Sequence, residues 1–260
     1  MSIYTLGPAG TFSEAAAIEL FSDDESIELA PTIEEIVERV VDGSAKAGVL
    51  PVENNISGFV DESISAMQSS PVVITGEITL NIEHCLAGFS TLEKAGVLFV
   101  QPHTYEQCKE KINRLCPHCE VVFTTSNGES ASKLLEPGQE TALAIVSKHA
   151  ANLYKLPIIE SGLSMAPSAT RFCIIERSDA PRETPTRHFL LLHPHEGEQA
   201  FEEEVKALFS KNLVSIDRLE SLSRGDLETI WIECSGMLDS CLLVMRELNA
   251  IGTLKQLGGI

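Results

Sequence analysis

Short apolar runs alternate with stretches of helical spacing along the first two-thirds of the chain. Ile3-Tyr4-Thr5-Leu6 reads as a strand that ends in a Gly-Pro-Ala-Gly turn. From Thr11 to about Phe21 the apolar Phe12, Ala15, Ala16, Ile18 and Leu20 then recur on a helix face. Further strands are predicted at 27–29, 47–52, 72–75, 77–86, 97–100, 121–124 and 143–146, with a late one at 172–176. Helices are predicted near 32–41, 60–68, 104–115, 129–135 and 147–153. This β/α order predicts an α/β fold in two lobes, one of them completed by the late strand. Lobe one takes about 1–76 plus 160–178 and lobe two about 77–159.

Residues 179–187 are polar, carry Pro181 and Pro185, and read as a linker. Beyond it the pattern changes. A strand at 188–193, a helix at 197–211, strands at 213–222 and 228–234, a helix at 238–249 and a strand at 252–258 give βαββαβ. That is the ferredoxin-like α+β order, here over 188–260. Such a unit presents sheet edges and one sheet face, so a homodimer or homotetramer is expected.

Charge narrows the chemistry. Asp and Glu number 38 against 19 Lys and Arg, a formal charge of −19. A surface this acidic repels phosphate backbones, which argues against a nucleic-acid partner. It serves solubility, and a salty cytoplasm would select the same excess. Any anionic substrate then needs a local positive site, from a few Arg and Lys side chains or from helix N-termini. The chain opens MSIYTLGPAG, without a signal-peptide pattern, and has no apolar run near the roughly 20 residues that span a bilayer, so the expected location is the cytoplasm, with no membrane partner. Seven cysteines, an odd count, argue against a disulfide framework. Cys116-Pro117-His118-Cys119 has redox-like spacing, and a zinc site would need two more ligands, for which Cys108, His103 and His118 are the only nearby candidates; a helix-end turn with free thiols explains the stretch as well.

Three clusters could carry chemistry. Gly7-Pro8-Ala9-Gly10-Thr11-Phe12-Ser13-Glu14 has glycines that permit close approach, and Thr11 or Ser13 can cap a helix whose free N–H groups favour an anion. An ordinary strand-to-helix turn has the same look. In Gly48-Val49-Leu50-Pro51-Val52-Glu53-Asn54-Asn55-Ile56-Ser57-Gly58 an apolar strand ends in a polar cluster, where ligand sites of open α/β sheets lie. In Ser168-Ala169-Thr170-Arg171-Phe172 the Arg can grip a carboxylate or form a salt bridge, and the Thr can donate to a leaving oxygen.

In this order and spacing the three clusters resemble prephenate dehydratases. That family opens with a Gly-rich turn before Thr/Tyr-Phe/Ser-Ser-Glu, continues with Gly-Val-x-Pro-Ile-Glu-Asn-Ser/Thr, and closes with Asn-x-Thr-Arg-Phe. Gly76-Glu77-Ile78 and Ile82-Glu83-His84-Cys85-Leu86 resemble its Gly-Glu…Ile-x-His-x-Leu stretch, and Ile216-Asp217-Arg218-Leu219-Glu220-Ser221 resembles the Glu-Ser-Arg segment of a fused ACT domain. The resemblance implies a two-lobed, periplasmic-binding-protein-like catalytic domain, an ACT domain, and conversion of prephenate to phenylpyruvate in phenylalanine biosynthesis, without metal or organic cofactor. It implies Thr170, Glu53 and Asn54 as catalytic residues. Gly10, Thr11, Ser13, Asn55, Gln107, Arg171 and Phe172 are implied for substrate. Gly197, Ala200, Glu220 and Ser221 are implied for an L-phenylalanine effector.

The chain departs from the family at several positions. Ser168 replaces Asn, Asn55 replaces Ser or Thr, and Val100 stands where the family's Ser-His-Pro-Gln stretch has Ser. The Gly-Ala-Leu segment of the effector loop gives way to Glu198-Gln199-Ala200-Phe201, and Leu222 follows Glu220-Ser221 where Arg is expected. Acidic residues beside that loop compete for helix N–H groups, so feedback by phenylalanine is expected to be weak or absent. A non-aromatising prephenate decarboxylase and a non-catalytic two-lobed binder are the alternative readings.

Overall fold

The structure, a computed structural model, describes residues 2–21, 25–179, 184–195, 201–224 and 227–260. In chain order the elements begin β1 (Ser2–Leu6), α1 (Phe12–Leu20), β2 (Ile27–Ala30), α2 (Ile33–Val41), β3 (Ala45–Asn54), β4 (Gly58–Phe59), α3 (Asp61–Ser69) and β5 (Val72–Asn81). Next come β6 (His84–Ala87), β7 (Val97–Val100), α4 (Pro102–Leu115), β8 (Glu120–Phe123), α5 (Asn127–Lys133), β9 (Ala142–Ser147), α6 (Lys148–Leu153) and β10 (Ile158–Glu160). The chain then returns through β11 (Ala169–Arg177) and ends with β12 (Arg187–Pro194), α7 (Phe201–Lys211), β13 (Ser215–Arg224), β14 (Leu227–Ser235), α8 (Leu238–Ile251) and β15 (Gly252–Gly259).

Local chemistry sets the helix starts. The Thr11 hydroxyl accepts from Glu14 N at α1, and the Thr32 hydroxyl accepts from Glu35 N at α2. Helix α2 then buries Ile33, Ile36, Val37 and Val40 on one stripe. Two sheets result. The smaller runs β10-β6-β9-β7-β8; the larger runs β13-β14-β12-β15-β5-β11-β3-β1-β2, with β4 beside β3. Glu77 to Leu86, expected as one strand, divides: residues to Asn81 prolong β5 in the large sheet, and His84 opens the small one. The large sheet thus keeps Glu77–Asn81, which the sequence pattern assigns to lobe two. The late strand β11 lies between β5 and β3, antiparallel to both, with Thr170 opposite Asn54 and Arg171 opposite Glu53.

The last four strands and two helices follow the ferredoxin-like order, with the first and third strands of the unit central. Helix α7 is described from Phe201; the expected start at 197 lies outside the described residues. The two faces of this sheet have different partners. Leu190, Leu192, Ile230 and Ile232 pack under α7 and α8. Phe189, Leu191 and Trp231 share a core with Ile64 and Met67 of α3 and Ile74 of β5. The sheet face that the sequence leaves open to a second copy is therefore covered by the chain's own first half. One edge is covered too: β15 meets β5 at Gly258↔Ile74.

The cysteines are free, and among the described residues no group of three His, Cys, Asp or Glu side chains is arranged to hold a metal. Cys116 caps the end of α4, and burial pushes its thiol up to about 12, so the pair at 116 and 119 is held as thiols. Among the described residues no helix is long and apolar enough to cross a membrane.

Two outcomes follow from this packing. The tail and the first half share a core, so they are expected to unfold together. The emission of Trp231, the one tryptophan, and the far-ultraviolet dichroism should change at one temperature. Leu191→Ala should lower that stability by about 2–5 kcal/mol; two separate transitions would mark the tail as independent. The second outcome concerns His84, which is 2% exposed at the start of β6. Burial first, and His103 second, push its imidazole from 6.5 down to about 4. The unfolded chain binds the proton more readily, so this stability is present above pH 6.5 and is lost as pH falls toward 4. The loss amounts to about 3 kcal/mol at most. Denaturant titrations of His84→Gln should show a flatter pH dependence across that window.

Candidate active site

The two sheets face each other across a cavity of about 410 Å3. Its large-sheet wall is built at the carboxyl ends of β1 and β3, where open α/β sheets place ligands, and at the start of β11. Thr11 and Ser13 enter from the first turn of α1, Asn54 from the end of β3, and Ser168, Thr170 and Phe172 from around the start of β11. The opposite wall comes from the start of β6 and from the first turns of α4 and α5, which contribute His84, Gln101, His103, Thr104, Gln107 and Asn127.

Asn54 organises the first wall. Its Oδ1 accepts from the backbone N–H of Ile56 at 3.0 Å and of Ser57 at 3.2 Å, which fixes the amide orientation. Its Nδ2 then faces Ser168 Oγ at 3.0 Å, Ala169 O at 3.1 Å and Thr170 Oγ1 at 2.9 Å. Thr170 Oγ1 accepts from Asn54, so the Thr170 hydroxyl proton is left to donate into the cavity. Ser168, which stands in place of Asn, still gives a polar atom to this cluster.

The second wall is neutral and polar. His84 Nδ1 lies 3.2 Å from Ser164 Oγ, and its ring meets Phe12 edge-on at 5.6 Å, so a neutral imidazole sits beside an aromatic face. His103 Nε2 and Gln107 Nε2 are 3.0 Å apart, and Thr104 Oγ1 donates to Asn127 Oδ1 at 3.1 Å. Among the described residues no Lys or Arg lines the cavity. Positive potential comes from helix ends instead. Helix α4 starts at Gln101 without a side-chain cap, and its first helical residue is Pro102, so the N–H groups of His103 and Thr104 have no intrahelical partner. The first turn of α1 faces the same space.

The site residues expected from sequence divide into two sets. Thr170, Asn54, Thr11, Ser13, Gln107 and Phe172 share the cavity. Glu53, Arg171, Asn55 and Gly10 do not line it. Side chains alternate along a strand, so Glu53 and Arg171, next to Asn54 and Thr170, project from the other face of the sheet. There Arg171 pairs with Glu53 at 3.1 Å and with Glu233 of β14 at 2.6 Å, and Arg218 of β13 grips Glu53 through both terminal nitrogens. The carboxylate-binding role read for Arg171 gives way to the salt-bridge alternative. Asn55 is exposed and pins the loop before β11, accepting from Ala169 N at 2.8 Å and donating to Pro167 O at 3.3 Å.

Gly10 is needed for contact between the halves. Its φ is +86°, and a Cβ there would lie 2.9 Å from the Ala150 Cβ of α6. Ser147 Oγ donates to Gly10 O at 3.0 Å, and Glu14 ties Gly10 N at 2.6 Å to His149 Nε2 at 2.8 Å. Val100 is fully buried under α4, so the polar atom lost there is not missing from the cavity wall. Gly197 and Ala200 lie outside the described residues. Glu220 binds Arg218, and Ser221 Oγ donates to Glu202 Oε1 at 3.0 Å. His84, His103, Thr104 and Asn127 were not singled out as site residues from sequence. His84 lies within the Ile82–Leu86 stretch, and His103, which the sequence offers as a candidate zinc ligand, precedes Gln107 on α4.

The sequence model of a family described as prephenate dehydratase matches residues 3–180. A bifunctional chorismate mutase/prephenate dehydratase of Enterobacter agglomerans is 28% identical over 267 residues, covering 97% of this chain and 68% of the relative. Against two further relatives of that description the chain spans 64% and 58% of their length. Among solved structures, a prephenate dehydratase of Arthrobacter aurescens in complex with L-Phe superposes with a TM-score of 0.86 at 23% identity, covering all of this chain and 90% of that one. GqqA, described as a novel type of quorum quenching acylase, superposes at 0.83 with 23% identity, covering 99% of this chain and 97% of that one. At such identities structural likeness shows the fold, and function must be read from the family match and the residues in the cavity. By the match over residues 3–180, the chain belongs to the prephenate dehydratase family.

Proposed function

We propose that the chain converts prephenate to phenylpyruvate, carbon dioxide and water in the cavity between the two sheets. The observation that carries this reading is the Asn54–Thr170 hydrogen bond, which turns the Thr170 hydroxyl proton toward the bound ligand. The C–CO2 bond breaks and its electron pair enters the ring. The ring C–O bond breaks at the other end, and the hydroxide leaves as water after protonation. Aromatisation supplies the driving force, so the protein must hold a dianion and stabilise charge on the departing oxygen. Thr170 donates to that oxygen, as acid or as electrostatic stabiliser. The N–H groups at the starts of α1 and α4, together with Gln107 and His103, take the carboxylates. Phe172 and Phe12 flank the ring.

Residues 1–178 form the catalytic unit in this reading, 179–187 the linker and 188–260 an ACT-type unit that operates in the cytoplasm. Copies pair through β13, the edge strand that the tail gives to the large sheet. The engagement of Glu220 by Arg218 and of Ser221 by Glu202 supports a weak response to phenylalanine.

Purified protein should release phenylpyruvate from prephenate, and Thr170→Ala should lower kcat on the order of 100-fold or more with a smaller change in KM. Asn54→Ala should follow it. An unchanged kcat in a folded Thr170→Ala removes Thr170 from the leaving-group step. Calorimetry with L-phenylalanine should show no micromolar binding; inhibition at micromolar concentration would make the altered loop a working sensor.

A further inference from the structure

Seven acidic and basic side chains meet behind the Asn54–Thr170 pair: Glu53, Glu77 and Arg171 from the first half, and Arg187, Arg218, Glu220 and Glu233 from β12, β13 and β14. Arg171 is at the centre, 2.6 Å from Glu233, 3.1 Å from Glu53 and 3.6 Å from Glu77. Arg187 also binds Glu77, and Arg218 bridges Glu53 and Glu220. Aromatic rings hold the guanidinium groups in place. Arg218 lies 4.8 Å over Phe59, Arg171 lies 5.6 Å over Trp231, and Trp231 Nε1 donates to Glu233 Oε1 at 2.8 Å.

This cluster is a poor device for stability alone. The Arg171 and Glu233 side chains are 12% and 6% exposed, so their desolvation is costly, and apolar side chains of similar volume hold such an interface as well or better. Its placement accounts for it. Glu53 is bonded in sequence to Asn54, and Arg171 to Thr170, and the two pairs face each other across the β3–β11 ladder. The register shifts between Arg171 and Phe172, so the ladder alone does not fix the angle of the strand ends. A bidentate grip on Glu53 and a short ion pair on Arg171 do.

We propose that Arg218 and Glu233 of the tail are positioning residues for the reaction: through Glu53 and Arg171 they set the distance and direction of Thr170 and Asn54 in the cavity. The tail is then part of the catalytic apparatus, whatever effector it senses. The kinetic arm of this inference rests on the dehydratase reading; the spectroscopic arm does not.

The test compares full-length wild type, Arg218→Ala, Arg218→Lys, Thr170→Ala and the Arg218→Ala/Thr170→Ala double variant with prephenate. Arg218→Ala is expected to lower kcat about 10-fold or more with KM within about three-fold, because small misplacements are felt at the transition state. Arg218→Lys should recover part of the rate. The double variant should be no slower than Thr170→Ala, since Arg218 acts through the group already removed. A folded Arg218→Ala with wild-type kcat, or losses that multiply in the double variant, overturns the proposal. Wild type that makes no phenylpyruvate overturns the dehydratase reading instead. The coupling is then read from the single indole N–H resonance of Trp231, which Asn54→Ala should shift from the far side of the sheet. An unmoved resonance overturns the proposal by itself.

Discussion

The hydrogen bond between Asn54 and Thr170 depends on two strands, β3 and β11, being held in one register by contacts on both of their faces. One face carries the amide and hydroxyl that line the cavity; the other carries the carboxylate and guanidinium that bind the tail. The alternation of a strand makes this division unavoidable. Adjacent residues cannot both enter the cavity, so Pro51-Val52-Glu53-Asn54 and Thr170-Arg171 are each half site and half support. Many of the large elements then serve this ladder. β5 flanks β11, β1 flanks β3, and α3 is wedged between the large sheet and the tail's inner face.

The sequence was most legible where a period was long and a cap was present. Helix α2, with Thr32, a first-turn Glu pair and a four-residue buried stripe, follows its pattern. The βαββαβ order of the tail was visible because apolar runs and helical spacings alternate without interruption there. The split of Glu77–Leu86 was hidden: both strands are apolar or mixed, and the break between Asn81 and His84 contains neither Gly nor Pro. The short β4 and β10 gave no periodic signal, with two and three residues.

The site was legible as a set of segments and less so as a set of side chains. Each of the three clusters reaches the cavity, yet Glu53 and Arg171, which the resemblance implies for the site, face the tail. Nothing in a local motif tells which of two adjacent polar residues points inward. That depends on the core under the sheet. Val52 and Cys173 are buried in the core shared with the tail, and Arg171 reaches the same face by simple alternation, whereas Val52 and Glu53 both reach it because the register shift opposite Arg171 and Phe172 leaves Val52 as an extra residue. That His84, His103 and Asn127 share one wall is hidden in the sequence for a different reason. They come from three elements that share no sequence neighbourhood and meet only because the small sheet brings the starts of α4 and α5 and the start of β6 to one rim.

The acidity of the chain and the neutrality of its cavity belong together. With a formal charge of −19, a cavity lined by Arg or Lys would be a natural partner for the protein's own carboxylates. The three arginines nearest the site show this outcome, for all are engaged by Glu53, Glu77, Glu220 or Glu233. Helix N–H groups have their direction fixed by the backbone, and those of His103 and Thr104 at the start of α4 have no side-chain cap. A neutral His84 adds polarity without drawing in a carboxylate. An acidic protein that must bind an anion is therefore better served by dipoles at the rim of the cavity, with its guanidinium groups spent on the opposite face of the sheet.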